Sequence, residues 1–227
     1  MTKGPLILND HKKVYQLLKD LDAREYIDPL HLNSCDIETF CEKMKLDMSN
    51  REKHETIERK KNPPLMAAYF YYYLYYYKKL PTQKEFKTHY RRCNSTWIYH
   101  HIGKVYYKAF EARLDRFYAS IMRDLHFYHL AKEEGDFEIA FTLQQDIEEK
   151  IDLLVTFKGQ KCGIQLRVGT EDSANYAAMK DVHIKKETPL VDFPLNLRKA
   201  LVIPTEKDSF FFYGKSDIQH LKKKIAT

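Results

Sequence analysis

The chain has 227 residues, enough for one or two domains with a real hydrophobic core. Its net charge of +6 suits a polyanionic partner such as nucleic acid, while seven scattered glycines exclude a Gly-rich phosphate loop. None of its four cysteines (Cys35, Cys41, Cys93, Cys162) forms a C-x-x-C pair, and neither a secretory leader nor an apolar run of bilayer length is present. These features predict a reduced, cytoplasmic, soluble protein with no membrane partner.

Residues 1–102 read as helical and are expected to form one domain, with 103–227 forming a second. Val14, Leu17, Leu18 and Leu21 recur at helical spacing after a possible Asn9-Asp10 cap, and a second helix is expected near Asp36. The charged stretch 50–62 reads as a solvated helix or linker, stopped by Pro63-Pro64. Residues 65–80 (LMAAYFYYYLYYYKKL) are apolar or aromatic all round, as in a helix buried on most sides. An exposed stacking platform for single strands is the alternative.

Thr82 and Glu85 make a capping box for a helix reaching about Arg92, and Ser95 or Thr96 can cap the next. Two helices joined by so short a turn resemble a helix-turn-helix. Lys84, Lys87, Arg91 and Arg92 are its candidate DNA contacts, although a plain helical hairpin has the same pattern.

From about Gly103 a long helix is expected to reach Lys132. Strands follow near 137–143, 151–157 and 162–168, then a helix near 173–181, strands near 199–203 and 209–213, and a basic helix at 216–225. The fold class is thus α/β (α+β mixed), with an αβββαβ core behind a helical domain.

The stretch from Ile151 to Val168 carries the chemistry. Ile151, Leu153, Val155 and Phe157 alternate onto one face, as do Cys162, Ile164, Leu166 and Val168. Gly159-Gln160 is read as the centre of a type II′ turn, which sets Leu154 opposite Gln165 and Asp152 opposite Arg167. Asp152, Gln165 and Arg167 then cluster on the other face. On the preceding helix, Asp124 shares a stripe with Phe117, Ile121 and Tyr128. A carboxylate there needs a metal or an ion pair, for which Arg123 and Lys132 are the nearest cations.

Asp152 followed across a hairpin by Gln165-Leu166-Arg167 resembles the PD-(D/E)xK nuclease superfamily, the restriction-endonuclease-like fold. The likeness covers element order over 103 to about 225 and three motif residues, with Gln in place of the second acid and Arg in place of Lys. It implies a Mg²⁺- or Mn²⁺-dependent DNA endonuclease, with Asp152, Gln165 and Asp124 as metal ligands and Arg167 near the scissile phosphate. A restriction, defence or mobile-element role and a homodimer would follow by analogy. Asp146 is a further acid within the same segment. Arginine stays protonated, so Arg167 can stabilise charge but cannot act as a general base. The substitutions leave open a nuclease fold that binds DNA or a partner without cutting. A helix-turn-helix regulator with a dimerising C-terminal half is a third reading. In the helix expected near 173–181 and just beyond it, Lys180, Lys185 and Lys186 are candidate phosphate contacts.

His126 and His129 form an H-x-x-H pair, but no third zinc ligand accompanies them, and packing roles are expected.

Overall fold

The architecture comes from a computed structural model, which describes residues 11–19, 21–22, 24–60, 63–134, 136–149, 151–169, 188–205 and 209–226. The expected helix at 173–181 and the candidates Lys180, Lys185 and Lys186 lie outside the described residues, as does the Asn9-Asp10 cap.

The helical part begins with α1 (His11–Leu18) and α2 (Arg24–Ile27), followed by α3 (Ser34–Met44). Helix α3 starts two residues before Asp36, because Asn33 is its N-cap and Asp36 closes the capping box at N3. The charged 50–60 stretch is anchored rather than wholly solvated. It forms a π-helical turn at Thr56–Lys60, Ile57 is buried, and Arg113 donates to the Ile57 carbonyl. Helix α4 (Met66–Tyr77) is buried from Met66 through Leu74, the outcome expected of a segment apolar on every side. Its exposed rings, Tyr76 and Tyr77, sit only at its last turn.

Helices α5 (Gln83–Cys93) and α6 (Ser95–His101) are joined by Asn94, and the Thr82–Glu85 capping box is present. Ser95 and Thr96 lie inside α6, whose N-cap Asn94 donates its side-chain amide back to the Tyr90 carbonyl instead. Helix α7 (Tyr107–Glu133) has 27 residues and is about 40 Å long. It packs against α3, α5 and the strands that follow, so one continuous buried cluster runs from Val14 to Ile225.

Strands β1 (Glu138–Ala140), β2 (Leu153–Phe157), β3 (Gln160–Val168) and β4 (Leu190–Leu195) form one sheet in that order. The first two pairings are antiparallel and β3–β4 is parallel. Strands β5 (Leu201–Pro204) and β6 (Ser209–Phe212) form a separate hairpin, and α8 (Lys215–Ile225) ends the described chain. The parallel partner of β3 is β4, a strand not expected from the sequence, while the expected strands near 199–203 and 209–213 pair with each other. Pro194 hides β4 from a reading of local pattern. The strand tolerates it because it lies at the sheet edge, where a missing N–H breaks no second ladder. Lys224 of α8 donates to the Asp192 carbonyl at 2.6 Å, covering part of that edge.

The β2–β3 turn also differs from expectation. Its central residues are Lys158 and Gly159, both with positive φ (50° and 80°), as a type I′ turn requires. Phe157 pairs with Gln160, so the register moves by two residues from the expected one. An even shift keeps every side chain on its expected face. Asp152 therefore comes to stand beside Gln165, and Arg167 lies one pair further on.

Candidate functional site

The site is built where β2 and β3 part. The Asp152 backbone N–H donates to the Ile164 carbonyl at 3.0 Å, one residue before β2 begins. Beyond it the Asp152 side chain replaces the ladder, its Oδ2 accepting from the Leu166 N–H at 2.5 Å. The carboxylate thus lies in the fork between the strands rather than on the face alone. The sec-butyl side chain of Ile151 covers Gly163, where a Cβ would meet it at 3.0 Å. The Ile151 N–H is tied to the Gln145 carbonyl at 3.1 Å, which folds the Gln145–Glu149 π-helical segment back towards Asp152.

Across the sheet, Gln165 pairs with Asp192 of β4. Asp192 is a site residue that motif reading missed. Arg167 donates to it through Nε and Nη2, both at 2.7 Å. This bidentate pair further raises the guanidinium pKa. Tyr213 braces the same strand from behind. Its hydroxyl donates to the Phe193 carbonyl at 2.9 Å and accepts from the Arg167 N–H at 3.2 Å.

Asp124 of α7 is half-buried and forms no ion pair among the described residues. Neither expected cation takes it. Lys132 pairs with Asp28, and Arg123 donates to the Phe211 carbonyl while lying over the Phe210 ring. Burial pushes the Asp124 carboxyl up to about 7, Arg123 draws it back, and the charge of Asp146 raises it again. Tyr71 of α4 senses the same group of acids. Burial first, then Tyr26, Asp146, Asp124 and Asp152 push its hydroxyl well above the usual tyrosine range. Burial dominates that shift, the acids adding smaller charge effects, and the Tyr71 ring lies 5.3 Å from that of Tyr26.

The donor chemistry of this group fits a hard divalent cation: carboxylates from Asp124, Asp146 and Asp152 and an amide from Gln165. Gln145 Oε1, next to Asp146, is buried without a hydrogen-bond partner, and a second amide oxygen is therefore left uncommitted. Among the described residues, no three His, Cys, Asp or Glu side chains already stand in metal-holding geometry.

The candidate DNA contacts divide. Lys87 pairs with Asp115 at 2.7 Å and Glu111 at 3.1 Å, and Arg91 reaches Glu111 at 3.5 Å and the Tyr107 hydroxyl at 3.1 Å. These two fasten α5 to α7. Lys84 and Arg92 are exposed. His126 and His129 are buried, and desolvation lowers both to about 4. His126 stacks on Phe212 at 4.1 Å and its Nε2 meets Glu38 at 2.8 Å, which is the packing role expected.

No protein-family model, curated protein or solved structure matches the chain. No described helix is long and apolar enough to cross a membrane.

Proposed function

We propose that this chain is a metal-dependent DNA endonuclease with a PD-(D/E)xK-like core. The observation that carries the reading is Asp152, whose Oδ2 accepts from the Leu166 N–H in the fork between β2 and β3, one register step from Gln165. The order of α7, three antiparallel strands and a parallel fourth supports the same reading.

Asp152, Asp124 and Gln165 would hold Mg²⁺ or Mn²⁺, with Asp146 close by. When bound, the cation supplies charge stabilisation and an acidified water for phosphodiester hydrolysis. The chain's own residues do the positioning. The Leu166 N–H fixes Oδ2 of Asp152 at 2.5 Å and so orients the carboxylate. Tyr71 and Tyr26 exclude water on the α4 side, which strengthens interactions among the carboxylates. Arg167 contributes fixed positive charge, partly neutralised by Asp192.

A second reading has its own support. Gln165 is neutral, and Arg167 is engaged by Asp192 with both donors of its fork. A chain with these features can keep the scaffold and bind DNA or a protein partner without cutting. Plasmid DNA incubated with the protein in Mg²⁺, Mn²⁺ or EDTA separates the two. Cutting confined to the metal lanes supports the nuclease, and intact plasmid throughout, with DNA still bound, supports the binding protein.

A further inference from the structure

The surface of α6 and the turn after it differs from the rest of the chain. Residues 83–110 hold six Lys or Arg against a single acid, Glu85, and from Arg91 to Phe110 there is no acid at all. Lys87 and Arg91 of this group are committed to α7, and Lys108 pairs with Glu52. Arg92 and Lys104 remain exposed at the two ends of α6. Between them Tyr99 is 79% exposed, with the His100 ring against it at 5.2 Å. Val105 beside Lys104 is 83% exposed. The open Tyr99 ring is flanked by cations and an imidazole.

The geometry points to a binding surface for an unpaired nucleotide, with Tyr99 stacking on the base, the perpendicular His100 ring meeting the base edge, and Arg92 and Lys104 on the flanking phosphates. Charge complementarity chooses a polyanion over an acidic-poor protein face, and the open ring chooses a base that has left its stack. Groove reading is the poorer fit. Helix α6 has seven residues, about 10 Å, and Lys87 and Arg91 of α5 are turned onto α7. This surface takes nucleic acid as its ligand and so rests on the DNA reading above, but it requires neither metal nor cutting.

The test is binding in EDTA, by fluorescence anisotropy, of a labelled single strand and of a duplex of the same sequence. Wild-type protein is expected to prefer the single strand. Tyr99→Ala should weaken that binding about tenfold and leave duplex binding unchanged, while Tyr99→Trp retains it. Lys104→Ala should weaken single-strand binding in a salt-dependent way. A fluorescent adenine analogue in the strand should be quenched by wild type and not by Tyr99→Ala. Single-strand binding untouched by Tyr99→Ala overturns the proposal, as does equal loss on strand and duplex, or no binding to either. So does a Tyr99→Ala protein that changes oligomeric state on a sizing column without losing DNA, since the surface would then join two copies. If wild type binds the strand through Tyr99 in EDTA yet cuts nothing with Mg²⁺ or Mn²⁺, the nuclease reading fails and this surface stands.

Discussion

Arg167 grips Asp192 with two parallel hydrogen bonds of 2.7 Å, joining β3 to β4. The Asp192 side chain is 45% exposed, so most of the attraction is screened. Asp192→Ala should therefore cost only about 0.5–1 kcal/mol in denaturant unfolding. It should also free the guanidinium and alter DNA affinity or cutting more than stability. A loss of several kcal/mol with unchanged DNA behaviour would make the pair a structural clasp.

Gln165 offers a neutral oxygen where a second acid would bind a cation more tightly. Gln165→Glu should strengthen Mg²⁺ binding by about tenfold, measured by calorimetry, because a charged oxygen is the better ligand for a hard cation. Unaltered affinity would place the cation away from β3.

Asp124 has its carboxyl raised to about 7 in the folded chain, against 3.8 as the ordinary value. The folded state thus holds a proton that the unfolded state has released between those values, and stability from this group falls as pH rises from about 4 to 7. Asp124→Asn should be more stable than wild type by roughly 1–3 kcal/mol at pH 8, with the difference vanishing near pH 4. Buried neutral His126 and His129 act oppositely, losing stability as pH falls from 6.5 towards 4, so the mutant must be compared with wild type at each pH. Mg²⁺ should shrink the gain at pH 8 if the cation meets Asp124.

Lys87 neutralises Asp115, which is 5% exposed and has its pKa raised by burial. Lys87→Ala leaves that carboxylate desolvated and should cost about 3 kcal/mol, seen as a lowered melting temperature. Lys84→Ala and Arg92→Ala should fall within about 0.5 kcal/mol of wild type while weakening DNA binding at low salt.

Periodicity made much of this fold legible. The all-round apolar run became α4, the Thr82–Glu85 box started α5, and alternation around Ile151–Val168 gave β2 and β3 with the correct faces. Exact register was not legible, because Lys158-Gly159 and Gly159-Gln160 are both plausible turn centres, and a positive φ at lysine is seen only in the structure. Strand β4 was hidden by Pro194, and with it Asp192, although Val191, Phe193 and Leu195 do alternate. The burial of Tyr71 against Tyr26 and Phe141 depends on how α4 packs, which sequence pattern does not reveal. Charge counting marked Lys87 and Arg91 as DNA contacts because it cannot see Glu111 and Asp115 one helix away.

The central claim is that the fork at Asp152 carries metal-dependent DNA cutting. Wild type and Asp152→Ala should be compared on supercoiled, linear and branched DNA with Mg²⁺ or Mn²⁺, after both are shown to be folded. The account predicts cutting by wild type that EDTA abolishes and that Asp152→Ala lacks, with DNA binding retained by the variant. Equal cutting by the two proteins, or none by either on any substrate, would contradict it.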